Sequence, residues 1–180
     1  MRGKKGLSQV VTTLILLVVA VLLAAVVTYY ATNITMVRTE SEELQLSKAH
    51  VWVNETGAVG GFKIQNLGGK DILIDKFTVR GVEEDWSSVW IYRVPSGDSI
   101  SGDMNRTSPD NLTGSPTIGG KDYEAVSDDI PLQSGAELLV YVSGPDNIQM
   151  DDLGTTVSIS VFTNNAQYIT EVNVESLTSQ

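Results

Sequence analysis

The sequence predicts an α+β chain in which one long N-terminal hydrophobic α-helix precedes an antiparallel immunoglobulin-like β-sandwich. Three observations carry that prediction. Residues 10–30, VVTTLILLVVAVLLAAVVTYY, hold no charge, and their only polar side chains are Thr12, Thr13, Thr28, Tyr29 and Tyr30. Residues 31–47 contain neither Pro nor Gly. Beyond Lys48 the apolar residues alternate with polar ones, the period of a half-buried strand.

The apolar run sets the solvent problem. About 20 apolar residues cross a ~30 Å hydrocarbon layer as a helix. A helix bathed in water would show a polar face, and this one has none, so lipid or copies of itself must surround it. Arg2, Lys4 and Lys5 precede the run, and no further charge appears before Arg38. By the positive-inside rule the N-terminus stays cytoplasmic and the rest of the chain lies outside. A cleaved secretory signal would have a shorter apolar core with small residues after it, where this chain has Tyr29 and Tyr30.

At Lys5-Gly6-Leu7-Ser8 a basic residue, a glycine and an apolar residue stand directly before the long apolar helix. The arrangement resembles the prepilin-type (class III) signal peptide. Together with LSQVVTTLILLVVAVLLAAVV it is similar to the N-termini of archaeal type IV pilins and archaellins. The resemblance implies that a membrane aspartyl prepilin peptidase cuts between Gly6 and Leu7 and leaves the helix on the mature protein. It is specific over residues 1–50 and architectural beyond them. Bacterial type IV pilins usually carry Glu at the fifth mature position; here that position is Val11, which fits the archaeal branch. The head domains of that family share the sandwich architecture that alternation predicts.

The helix should continue past its apolar run. Ile34, Val37, Ser41 and Leu44 fall three or four residues apart, on one helical face, among Arg38, Glu40, Glu42 and Glu43. The expected helix spans 7–47, about 60 Å at 1.5 Å per residue. Its second part would bury an apolar stripe against the globular head while the first part projects. The expected organisation is a class III signal peptide over 1–6, this helix over 7–47, and an extracellular head over 48–180.

Within the head, strands are expected at 50–53, 61–65, 72–80, 88–94, 137–142, 156–162 and 167–174. Turn residues separate them, among them Gly57, Gly68-Gly69, Ser134-Gly135 and Asn164-Asn165. Seven short segments at this spacing argue the sandwich. Residues 95–130, with Pro109, Pro116 and many Gly, Ser, Asp and Asn, are expected to form a long solvent-facing loop. A short strand is expected in it near Tyr123.

Four Asn-X-Thr sequons, opening at Asn33, Asn54, Asn105 and Asn111, are candidate glycosylation sites. Asn105 and Asn111, in the long loop, should be modified before Asn33, which falls in the helix. Nucleic-acid binding is disfavoured by a net charge of −10. Loss of Arg2, Lys4 and Lys5 from 12 basic residues leaves 9 against 22 acidic ones, a mature charge of −13. No cysteine is present, which excludes disulfides and thiol chemistry.

Little suggests an enzyme. His50 is the one histidine, in a predicted strand beside Trp52, with no G-x-S-x-G nucleophile motif. Trp52, Trp86 and Trp90 read as core or interface residues. Asp128-Asp129 and Asp146 with Asp151-Asp152 offer oxygen ligands for Ca²⁺, but no D-x-[DN]-x-[DN]-G loop is present. The expectation is solvated acidic loops, with no metal and no cofactor beyond N-linked glycans. The expected role is structural: a subunit of an extracellular filament, for motility or adhesion, whose partners are identical subunits, the prepilin peptidase, the assembly machinery and, before assembly, the membrane. The alternative is a membrane-anchored accessory or surface-binding protein with the same head.

Overall fold

A computed structural model describes residues 3–145 and 147–177, with the side chains of 3–5 and 38–40 left aside. The chain divides into two units, residues 1–41 and 42–180. The first is a single helix, α1, over Gly3–Glu40. Leu, Ala and Val fill it, and no Pro or interior Gly interrupts it between Leu7 and Glu40.

The helix stops at Glu40, short of the expected Ser47. Strand β1 begins at Leu44, and Leu44 to Ser47 pair with Asn66 to Lys63 of the next strand. Tertiary bonds hold this stretch open. Glu42 accepts hydrogen bonds from the Thr163 hydroxyl and from Asn165 Nδ2, the latter at 2.9 Å. The Glu43 carbonyl accepts the N–H groups of Leu67 and Gly68 at 2.8 and 3.1 Å. Leu44 is buried in the sheet, whereas Ile34 and Val37 are exposed, so the expected amphipathic stripe is not one face. Pairing and burial outweigh a helical spacing that was worth only a few tenths of a kcal/mol per residue.

The second unit holds twelve strands among its described residues: β1 Leu44–Asn54, β2 Gly57–Asn66, β3 Ile72–Val79, β4 Val82–Glu83, β5 Val89–Arg93, β6 Thr117–Ile118, β7 Lys121–Asp122, β8 Glu124–Ala125, β9 Ile130–Leu132, β10 Glu137–Ser143, β11 Thr156–Thr163 and β12 Gln167–Ser176. Each of the seven expected segments falls on one of these strands, and β8 falls where the short strand was expected. One sheet runs β4-β3-β11-β12-β1-β2-β10-β5-β8, with β9 also on β3; β6 and β7 pair separately. Its pairings are antiparallel except β1 with β12, where Val51 stands beside Val174. The sheet is curled, and side chains of both halves share one apolar core, in which the Phe62 and Phe77 rings meet edge to face at 5.6 Å.

The half formed by β1, β2, β10 and β5 is buried on its other face too. Trp52, Val59, Leu139, Tyr141 and Trp90 form a second cluster with Met104, Leu112, Ile118 and Tyr123. The last four come from residues 95–130, which therefore correct the expectation of a loop with little to bury. Burial on both faces explains why β2 and β10 are nearly continuous in buried residues. Gly61 makes the second layer fit. A Cβ there would stand 2.9 Å from Tyr141 Cε1 and 3.0 Å from Trp52 Cζ3.

Charges pin this layer. Strand β1 bulges between Ser47 and His50, with Lys48 at φ 52°, a left-handed conformation that costs a non-glycine residue about 1 kcal/mol. Lys48 Nζ donates to the carbonyls of Ile100, at 2.9 Å, and Gly102. Lys63 and Glu137, both more than nine-tenths buried, pair at 2.8 Å, and Glu137 also accepts the Ile100 N–H at 3.0 Å. Burial pushes the Glu137 carboxyl up, but these two hydrogen bonds outweigh it and hold it below the usual carboxylate range. The Met104 N–H, with His50, holds Asp103 low as well.

Both folded-state values are depressed, so this stabilisation is complete above about pH 5 and drains away as pH falls below about 4, where the unfolded chain takes protons first. Lys63→Met should cost about 3 kcal/mol near neutrality by stranding a buried carboxylate. Its deficit relative to the parent should shrink in acid, where Glu137 becomes neutral. Denaturant titrations of both proteins between pH 3 and 7 read this directly; a loss under about 1 kcal/mol at pH 7 would mean the pair carries no such weight.

Candidate functional site: an uncovered apolar helix

The feature most in need of a function is α1. From Gly6 to Val37 the chain has 32 residues with a mean hydropathy of 3.2 over its most apolar stretch, and every side chain in that span is exposed. At 1.5 Å per residue the span is about 48 Å long. Leu7, Leu14, Leu16, Leu17, Leu22 and Leu23 are all more than half exposed, on every side of the helix. Burial of one such side chain is worth roughly 1.5–3 kcal/mol, so water is not the medium in which this helix rests.

Its hydroxyls do not make it any more at home in water. Thr12, Thr28, Thr32 and Thr35 donate to the carbonyls four residues back, at 2.8–2.9 Å, and Thr13 donates to Val10 at 2.9 Å. Each of these hydroxyls is satisfied by a carbonyl of its own helix. Tyr29 and Tyr30 meet edge to face at 6.0 Å near the distal end of the apolar run.

Gly6 and Leu7, the residues of the expected cleavage, lie in α1. A Cβ added to Gly6 would meet nothing within 4 Å. Glycine inside a helix costs about 1 kcal/mol relative to alanine, so the fold gives no reason for it. Leu7 is 72% exposed.

The sequons lie in different settings. Asn33 is exposed on α1. Asn54 ends β1 at a two-residue turn and is half-buried. Asn105 and Asn111 are exposed and line one groove of about 520 Å³, with Thr107, Pro116 and Ile118.

His50 stacks on Trp52 at 5.3 Å, with Nε2 3.1 Å from Asp103 and Nδ1 3.5 Å from Glu175. Carboxylates stand on both sides of the ring, and among the described residues no hydroxyl is hydrogen-bonded to it. Trp52 and Trp90 belong to the second core, and Trp86 packs on the first. Asp152 is held by Arg80 at 2.8 Å, and Asp128 caps the N–H of Asp129. Asp146 lies outside the described residues. Among the described residues no three His, Asp or Glu side chains gather as a metal site would require.

Sequence reasoning missed Lys48, Lys63 and Glu137. Lys63 and Glu137 sit in strand patterns where a charge reads as solvent-facing, and nothing in the sequence announces the layer that covers them. No protein-family model matches the chain, and no curated protein sequence does either.

If α1 alone resists water, a chain beginning at Glu42 should stay soluble and monomeric without detergent, with one cooperative thermal transition. The full chain should need detergent or lipid. Sedimentation of the two proteins checks this, and aggregation of the shortened chain would place the insoluble surface in the second unit.

Proposed function

We propose that this chain is a structural subunit of an archaeal type IV pilus-like extracellular filament, with α1 as its polymerising element and an immunoglobulin-like sandwich as its outer domain. The observation that carries the reading is the length and uniformity of the exposed apolar helix. The hydrocarbon of a bilayer covers about 20 residues of helix, and the exposed span here runs for 32 residues, of which 23 are apolar. A bundle of identical helices gives apolar neighbours to the whole span, not only to the part that fits a bilayer.

The mechanism follows from that. In the precursor, lipid surrounds the helix, and Arg2, Lys4 and Lys5 hold its N-terminus at the cytoplasmic surface. Cutting between Gly6 and Leu7 by a prepilin peptidase removes all three cations. The helix then leaves lipid for the only other apolar medium on offer, copies of itself, driven by the assembly machinery. The glycine supports this reading, because a protease cleft can demand a missing side chain where the fold does not. An acidic head, net −13 over residues 42–180 with 21 acidic residues opposed by 8 basic ones, suits a solvated outer sheath.

Gly6→Val tests the reading, since a β-branched side chain at the cut should block the peptidase while the helix tolerates it. The variant should accumulate in the membrane with Met1 or Arg2 at its N-terminus and form no filaments, while the parent starts at Leu7. Should parent and variant share an uncut N-terminus, the chain is a membrane-anchored surface protein instead. N-terminal sequencing of both separates the two.

A further inference from the structure

The four sequons stand at unrelated places in the sequence, yet the fold gathers three of them. Asn54 opens the turn from β1 to β2, and Gly57, which closes that turn, lies against Pro109: a Cβ on it would be 3.4 Å from Pro109 Cγ. Pro109 starts the single 3₁₀ turn that ends at Asn111. Asn111 and Asn105 line the same groove.

A modifying enzyme would meet three different surfaces there. At Asn54, Oδ1 accepts three hydrogen bonds, from the Thr56 N–H at 3.0 Å, the Thr56 hydroxyl at 2.8 Å and the Gly57 N–H at 3.1 Å. This Asx-type turn fixes the side chain with its oxygen inward. Its Nδ2 is neither buried nor engaged in a hydrogen bond among the described residues, and Glu55 and Thr56 are exposed. At Asn105, by contrast, Nδ2 lies on the backbone of Gly119, where a Cβ would stand 2.1 Å from it. Thr107, the hydroxyl residue of that sequon, is 5% exposed. Asn111 and Thr113 are exposed, but Leu112 between them is anchored in the second core.

We propose that Asn54 is the acceptor for N-glycosylation on the folded head, and that Asn105 is closed to the same chemistry once residues 95–130 pack down. Loop composition ranks Asn105 and Asn111 above Asn33 and does not single out Asn54. The co-reactant is a lipid-linked glycosyl phosphate. Nδ2 of Asn54 forms the bond to the anomeric carbon, the anomeric C–O bond breaks with its electron pair leaving on the lipid phosphate, and the amide proton passes to a base of the transferase. The proposal rests on the head lying outside the cell, as in the filament reading.

The test is peptide mapping by mass spectrometry on the full chain recovered from producing cells, with its N-terminus read in the same sample. The Asn54 peptide should carry a glycan mass in the parent and in Thr56→Ser, which keeps the hydroxyl and the sequon. It should be bare in Thr56→Ala and Asn54→Gln, and the Asn105 peptide should be bare in all four. A bare Asn54 peptide in the parent, or a glycan on Asn105, overturns the proposal. A Leu7 start with bare Asn54 sinks the acceptor and leaves the filament reading standing. A Met1 start with glycosylated Asn54 supports the acceptor and sinks the filament.

Discussion

The exclusion of α1 from water governs everything else about this chain. A span of 32 residues with every side chain exposed and no polar face has two resting places, a bilayer or an assembly of like helices. Its threonines reinforce the constraint, because hydroxyls bonded to their own backbone leave the helix with little to offer water or a polar partner. The chain therefore separates its tasks. One unit is apolar and exposed along its length, and the other is acidic and carries almost all of the polar chemistry.

The second unit must hold its shape without disulfides, since the chain has no cysteine. It does so by burying one half of its sheet on both faces. The inner face packs Phe62, Ile64 and Leu138 against Phe77 and Ile159, and the outer face packs Trp52 and Tyr141 beneath residues 95–130. The covering segment has little regular structure of its own. It is held instead by Lys48 on two of its carbonyls, by Glu137 on the Ile100 N–H, and by the Tyr141 hydroxyl donating to the Asn105 carbonyl at 2.7 Å. Burial pushes the Tyr141 phenol up to about 12, so it stays a donor at any physiological pH. The turn at Asn54 and the groove at Asn105 and Asn111 take their geometry from this packed layer.

Much of the architecture was legible because two periods are hard to mistake. An unbroken apolar run of this length reads as one helix, and alternation in segments such as 156–162 reads as a half-buried strand. The helix end was not legible, because Leu44 satisfies a helical spacing and only its pairing with Asn66 shows that it belongs to the sheet. Met104, Leu112, Ile118 and Tyr123 fall at irregular intervals among Gly and Pro, so no period reveals that they form a second core. The parallel contact of Val51 with Val174 spans most of the chain, and nothing local encodes it. As for candidate sites, the sequence named every sequon and the Gly6–Leu7 junction. It did not show that Thr107 is buried or that Asn54 is clamped, because both depend on how the folded chain packs around them.

The environment of α1 in extracellular material is the quantity that decides most. The absence of native cysteine makes Leu22→Cys a single reporter near the middle of the apolar span, and Ser115→Cys an exposed reference on the head. Each variant, shed into the medium and freed of lipid, would be treated with a water-soluble maleimide before and after dissociation in detergent. If identical helices shield one another, the thiol introduced by Leu22→Cys stays unlabelled until the assembly is dissociated, while the one introduced by Ser115→Cys reacts at once. Equal labelling of both positions in the intact material would show that water reaches the helix, and self-association of α1 would be contradicted.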